Sequence, residues 1–186
     1  MAGTDGSGGI AAPKPGCVRC AAVARILMLG GGCRGRVLAA AMVDDGYAVR
    51  ATTRTEANRA AIEAAGAECW IGTPDRLATL RGALENVTIV CWLLGSATGP
   101  PAQLRDLHTH RLRFFLGGAV DTTVRGFLYE ASGTTVPPEV LAEGEAIARA
   151  VGEQNAMPIA FLRAGAEDPE AWLTQARAAV EQLLEG

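Results

Sequence analysis

An apolar run at residues 24–29 ends directly in a turn built from Gly30, Gly31, Gly32, Cys33, Arg34 and Gly35, and a stretch of helix-forming residues follows at once. Glycine at the first, third and sixth positions commits such a segment to a strand–turn–helix unit. Gly30 permits the tight turn, and Gly35 lets the helix pack close to the strand. Gly32 leaves the backbone open at a helix N-terminus, where unsatisfied amides and the helix dipole favour an anion. In this context the G-x-G-x-x-G spacing points to the pyrophosphate of a dinucleotide. Without a ligand the same residues would be a glycine-rich connection only.

Downstream, apolar runs of strand length alternate with alanine-rich stretches of helix length, the pattern of βαβ units around a parallel sheet buried on both faces. We expect strands at 24–29, 48–53, 68–71, 87–94, 126–129 and 158–162. Helices are expected at 35–44, 56–65, 74–84, 102–120, 139–154 and 168–184, with Gly66 capping the second. The fold class is therefore α/β: a doubly wound parallel sheet of about six strands, Rossmann-like, in three α/β/α layers. With 186 residues, 49% of them hydrophobic, the chain can bury one sizeable core but not two, so residues 23–186 are expected to form one domain. Residues 1–22 are rich in Gly, Ala, Ser and Pro without an apolar period, and are expected to be a disordered tail.

About 20 residues after the glycine turn, a site for NAD places an acid at the end of the second strand to bond the ribose 2′-hydroxyl. This chain has Thr52, Thr53 and Arg54 there instead. A guanidinium is a planar fork that donates two bonds to two oxygens, so Arg54 suits a 2′-phosphate. Thr53 is placed to contact the same phosphate, and Arg34 to add a second positive charge. The expected cofactor is NADP, with NAD as the alternative; both arginines would otherwise be solvated surface charges.

Three stretches, residues 26–36, 48–54 and 158–165, resemble the short-chain dehydrogenase/reductase superfamily, in particular its extended and atypical members. The last reads PIAFLRAG, similar to the strand-six signature of extended members that ends in Leu-Arg-Pro-Gly. The glycine turn departs from the family pattern, because Leu29 stands where the usual G-x-x-G-x-x-G has its first glycine. It matches the shorter turn of ordinary dinucleotide-binding domains, which some atypical members also use. The resemblance implies NAD(P) binding, with Gly95, Ser96 and Ala97 beside the nicotinamide ribose.

Active members of that superfamily carry a Tyr and a Lys one helical turn apart on the helix before strand six, the tyrosine serving as general acid or base. In the extended form a glutamate follows the lysine by a further turn, and Glu145 and Arg163 reproduce its distance from the strand-six arginine. Counting back places Leu141 at the lysine position and Pro137 at the tyrosine position. Neither can transfer a proton. The chain's single lysine is Lys14, in the tail, so no shifted register supplies the pair. The segment FLYEAS resembles the stretch that carries the family's catalytic serine, which makes Ser132 the one weak catalytic candidate. A lone serine there equally serves as a turn residue. Tyr129, within the strand, reads as core. The sequence ends soon after strand six, whereas extended members continue into a substrate region, so any substrate pocket is expected to be shallow or completed by a partner.

The remaining features exclude more than they suggest. A net charge of -3 with scattered basic residues argues against nucleic acid as a partner. No apolar run approaches the roughly 20 residues that span a bilayer, and the first residues lack the order of a secretory signal, so no membrane partner and a cytoplasmic location are expected. Five cysteines, an odd number, fit reduced thiols. Cys17 and Cys20 form a C-x-x-C with no second pair, and no metal is expected. Cys33 reads as a spacer in the glycine turn or as a redox-sensitive thiol beside the cofactor. His108 and His110 point about 200° apart on a helix and cannot share a metal. With Arg105, Arg111 and Arg113 they suggest a basic face, solvated or at a subunit interface.

Hydride transfer belongs to the cofactor, while the protein supplies orientation and a proton route. Without the Tyr-Lys pair the leading reading is an NAD(P)-binding protein, NADP-preferring, that acts as a binding or regulatory module, with a homodimer as a candidate assembly. The alternative is an NADP-dependent oxidoreductase or epimerase that acts on a small-molecule substrate through Tyr129, Glu130, Ser132 or His108. A third reading leaves the glycine turn with another phosphate ligand or none.

Overall fold

Successive residues of β1 (Arg25–Leu29) point to opposite faces of the sheet, and both sets are apolar: Ile26 and Met28 enter one core, Leu27 and Leu29 the other. Such a strand must lie in the middle of a covered sheet. In the computed structural model, which describes residues 24–165 and 167–186, β1 is joined by β2 (Ala48–Thr53), β3 (Glu68–Ile71), β4 (Ile89–Trp92), β5 (Gly126–Glu130) and β6 (Ile159–Leu162). All neighbours are parallel, in the order β3-β2-β1-β4-β5-β6. The edge strands β3 and β6 are the shortest kind present, 4 residues each, which limits the unpaired backbone they offer to other chains. The expected tail, with Cys17 and Cys20, lies outside the described residues.

One face of the sheet is covered by α1 (Cys33–Asp44), α2 (Arg59–Glu63) and α6 (Pro169–Glu185), through residues such as Leu38, Met42, Ile62, Trp172 and Val180. The other face is covered by α3 (Pro101–His108), α4 (His110–Ala119) and α5 (Pro138–Asn155). This is the expected doubly wound, three-layer α/β arrangement. Three helices start with Pro in the first turn, where the missing N–H costs nothing. Asp168 also caps α6, its side chain accepting from the Ala171 amide at 3.0 Å.

Three expected helices differ, and the one expected at 56–65 opens as a 3₁₀ turn, Glu56–Asn58, before the five-residue α2. The segment expected as a helix at 74–84 forms two 3₁₀ turns, Leu77–Leu80 and Gly82–Leu84. Its carbonyls are captured by side chains from the sheet: Arg50 donates to Ala83 O at 2.6 Å, and Trp70 Nε1 donates to Thr79 O at 2.8 Å. These donors from the sheet compete with helical amides for the carbonyls. The helix expected at 102–120 breaks at Thr109, whose hydroxyl donates back to Arg105 O at 2.7 Å while its backbone leaves the helical region.

The register brings the functional end into focus. Leu29 pairs with Thr52 on one side and with Trp92 on the other, so the chain leaves β1, β2 and β4 at one level. Between β1 and β4 the strand order reverses, which opens a crevice at the carboxyl ends. Among the described residues no helix is long and apolar enough to cross a membrane, and no group of three or more His, Cys, Asp or Glu could hold a metal ion.

Candidate functional site

The crevice at the switch point is a cleft of about 620 Å³ lined by the glycine turn and by the ends of β2, β3, β4 and β5. Gly30 has φ 121°, and a Cβ there would lie 2.3 Å from the Leu93 carbonyl oxygen. A Cβ on Gly35 would lie 2.0 Å from the Gly30 carbonyl oxygen, so strand and helix meet there with no room for a side chain. Gly31, given no role in the sequence reading, is equally constrained: its amide donates to Thr52 O at 3.0 Å, and a Cβ would lie 2.7 Å from that oxygen. Gly32 differs from all three. It is the N-cap of α1, no side chain caps that end, and a Cβ would meet nothing within 4 Å. The open position and uncapped amides face the cleft, the geometry an anion requires.

On the β2 side, Thr53 is buried at the strand end and its Oγ1 accepts from Asn58 Nδ2 at 3.1 Å. Arg54 follows it, exposed on the cleft wall, with no ion pair or hydrogen bond to any described residue. Asn58 and the turn after β3, Gly72 to Asp75, also line this side and were not foreseen. The Asp75 carboxylate already has a cation, Arg111 Nη1 at 2.6 Å. A clue to the second group was its position in the turn that follows β3.

On the β4 and β5 side, Arg34 does not behave as expected. Rather than adding charge beside Arg54, it reaches the other way. Its Nη2 donates to Ser96 Oγ at 2.6 Å and lies 3.4 Å from Glu130 Oε1, and its guanidinium carbon stands 5.2 Å from the Trp172 ring centroid. The reason is Glu130, a carboxylate only 1% exposed that needs a cation. Glu130 Oε2 accepts from the Gly95 amide at 2.7 Å, and Oε1 accepts from Trp172 Nε1 at 2.9 Å. Burial raises the Glu130 carboxyl above its ordinary value, against the pull of Arg34 and these donors. Arg34 Nη1 is buried without a hydrogen-bond partner among the described residues.

Ser96 lines the cleft, as does Cys33, which is exposed. Gly95 does not line it. A Cβ there would lie 2.1 Å from the Ser132 carbonyl oxygen, so the missing side chain makes room for the loop after β5 rather than for a ligand.

The proton-transfer candidates are tied down. Ser132 Oγ donates to Ala164 O at 2.6 Å, which makes it a turn residue. Tyr129 is fully buried. His108 is buried beside it: the Leu94 carbonyl can only accept, so Nε2 at 3.2 Å carries the proton and Nδ1 accepts from the Tyr129 hydroxyl at 2.7 Å. Burial lowers His108 to about 4 and raises the Tyr129 phenol. Pro137 is the N-cap of α5 and Leu141 is buried in its first turn, so neither supplies a proton. Glu145 and Arg163 do pair, at 2.6 Å, and that bond holds the Glu145 carboxyl below its ordinary value. The expected basic face is largely neutralised, Arg105 pairing with Glu143 and Arg111 with Asp106 and Asp75. His110 is exposed 3.2 Å from Asp106.

No family model matches the chain, and no curated protein sequence matches it. Solved structures do share its fold. A short-chain dehydrogenase from Rhodopseudomonas palustris is similar with TM-score 0.62 at 14% identity, over 86% of this chain and 92% of that one. The enzyme WbmG of Bordetella bronchiseptica, in complex with NAD, gives 0.60 at 17% identity over 78% and 54%. The triphenylmethane reductase of Citrobacter sp., complexed with NADP(H), gives 0.57 at 18% identity over 74% and 48%. The chain thus spans about half the length of the last two. It has the Rossmann-like fold of short-chain dehydrogenase structures.

Proposed function

We propose that the cleft binds a 2′-phosphorylated adenine nucleotide of the NADP(H) type and that the chain acts as a binding or regulatory module rather than as a hydride-transfer enzyme. The observation that carries this reading is Arg54: a guanidinium without a partner among the described residues, on the cleft wall at the end of β2, where an acid would be needed to favour NAD. The residues present fit the adenosine half of such a cofactor. Open backbone at Gly32 and the uncapped start of α1 suit the pyrophosphate, and Thr53 and Arg54 suit the 2′-phosphate. Structures of this fold hold either NAD or NADP(H), so the preference rests on Arg54 and not on the fold.

When bound, the cofactor would supply hydride; the chain would have to supply the proton. Ser132, Tyr129 and His108 each have their polar hydrogen committed to a neighbour or buried from the cleft. Glu130 lines the cleft, but its oxygens accept from the Gly95 amide and Trp172 Nε1 and face the Arg34 cation, contacts that pull toward the ionised acceptor form against the rise that burial causes. Thermal unfolding with each nucleotide tests the binding reading. NADPH should raise Tm, as any ligand of the native state does, and more than NADH at equal concentration. No shift with either would overturn the proposal.

A further inference from the structure

We propose that Arg34 closes the second half of the cleft, so that the site engages only the 2′-phosphorylated adenine mononucleotide part of its ligand and the rest of a complete dinucleotide adds no affinity. This rests on the nucleotide-binding reading above. A doubly wound sheet offers two mononucleotide-binding halves on either side of the switch point, and a dinucleotide straddles them. In this chain the halves differ. The β1–β2–β3 half is open at Gly32 and holds Arg54, a guanidinium unpaired among the described residues. The half above β4 and β5 is crossed by the Arg34 side chain, which links the glycine turn to Ser96 after β4 and to Glu130 at the end of β5.

Three further contacts hold this crossing in place. The guanidinium lies over the Trp172 ring of α6, Trp172 Nε1 fixes the same Glu130 carboxylate that Arg34 faces, and the Gly95 amide fixes its other oxygen. A second nucleotide entering here would have to take away Arg34, the one cation paired with this 1% exposed carboxylate among the described residues. A mononucleotide needs no such displacement. Its 5′-phosphate ends at the start of α1, next to Arg34, whose buried Nη1 has no partner among the described residues.

The test compares adenosine 2′,5′-bisphosphate with NADPH by calorimetry, on the wild-type chain and on Arg34→Ala. Because that variant leaves Glu130 buried without its cation, the double variant Arg34→Ala/Glu130→Gln is measured alongside. In the wild type the two ligands should bind within about threefold of each other, since the second half of NADPH finds no site. Opening the crossing should shift the ratio toward NADPH by about tenfold or more. Nicotinamide fluorescence gives a second readout: unchanged on binding to the wild type, enhanced on binding to the variants as the ring leaves water. NADPH binding tenfold tighter than the bisphosphate in the wild type, or a ratio and emission indifferent to both variants, would overturn the role of Arg34 while leaving the nucleotide site standing. Binding of neither ligand would instead remove the site itself.

Discussion

Gly35 approaches Gly30 so closely that a Cβ on Gly35 would lie 2.0 Å from the Gly30 carbonyl oxygen, whereas a Cβ on Gly32, three residues earlier, would touch nothing. Glycines of one short turn thus serve two purposes. Gly35→Ala forces strand and helix apart and should cost about 3 kcal/mol, within the usual range for overpacking. For a domain of this size that is a fall in Tm of roughly 10 °C. Gly32→Ala, whose backbone is extended and allowed for any residue, should leave Tm within about 1 °C. It should instead weaken nucleotide binding, because the methyl group occupies the approach to the α1 amides. Thermal unfolding and calorimetry on the two variants check both statements; a stability loss in Gly32→Ala equal to that in Gly35→Ala would contradict them.

Arg54→Glu reverses the charge at the end of β2. A charge-assisted hydrogen bond contributes about 1.5–3 kcal/mol, so NADPH affinity should drop by at least about tenfold. NADH lacks the 2′-phosphate and should lose little, or gain through a bond from the new carboxylate to the ribose hydroxyl. Equal losses for the two nucleotides would mean that Arg54 does not read the 2′-phosphate.

His108 gives the fold an acid sensitivity of known sign. Its pKa is about 4 in the folded chain against an ordinary 6.5, because burial disfavours the charged ring. The folded state therefore binds fewer protons than the unfolded state between these values, and stability falls as pH falls. The contribution is fully present above about pH 6.5 and is lost progressively toward pH 4, by up to about 3 kcal/mol. Glu130 acts oppositely, since its raised pKa adds stability at low pH that is lost as pH rises. Urea unfolding of wild type and His108→Gln at pH 7 and pH 5 isolates the histidine: the difference between the two proteins should shrink at pH 5. A constant difference would show that His108 is not held neutral.

Arg50 decides the form of the segment after β3. It is 7% exposed, donates to Ala83 O and pairs with Glu68, while its guanidinium lies 5.2 Å from the Trp70 ring centroid. Arg50→Met keeps the apolar stem but strands the carbonyls, and should cost about 1–3 kcal/mol. Hydrogen exchange should then quicken between Leu77 and Leu84 more than in α1. Uniform exchange across both segments would speak against a local role.

This segment also shows where sequence reasoning stops. The six strands and the glycine turn were legible because both faces of β1 and β4 are apolar and because few residues other than glycine fit between Leu93 and α1. Propensity alone made residues 74–84 a helix; the carbonyls are taken by Arg50 and Trp70, partners from the sheet that no local pattern reveals. The break at Thr109 has the same character, a hydroxyl competing for a helical carbonyl. The place of Arg54 on the cleft wall was legible because it directly follows β2. Arg34 was not, because its direction is set by Glu130 of β5 and Trp172 of α6, which only the folded chain brings together.

The most direct test is a titration of the purified chain with NADPH and with NADH at one fixed salt concentration, followed by fluorescence, since Trp172 stands at the cleft. We expect NADPH to bind at micromolar concentration and NADH at least about tenfold more weakly, the difference that one arginine–phosphate contact supplies. Absence of binding by either nucleotide, or equal binding of both, would contradict a cleft built to read a 2′-phosphate.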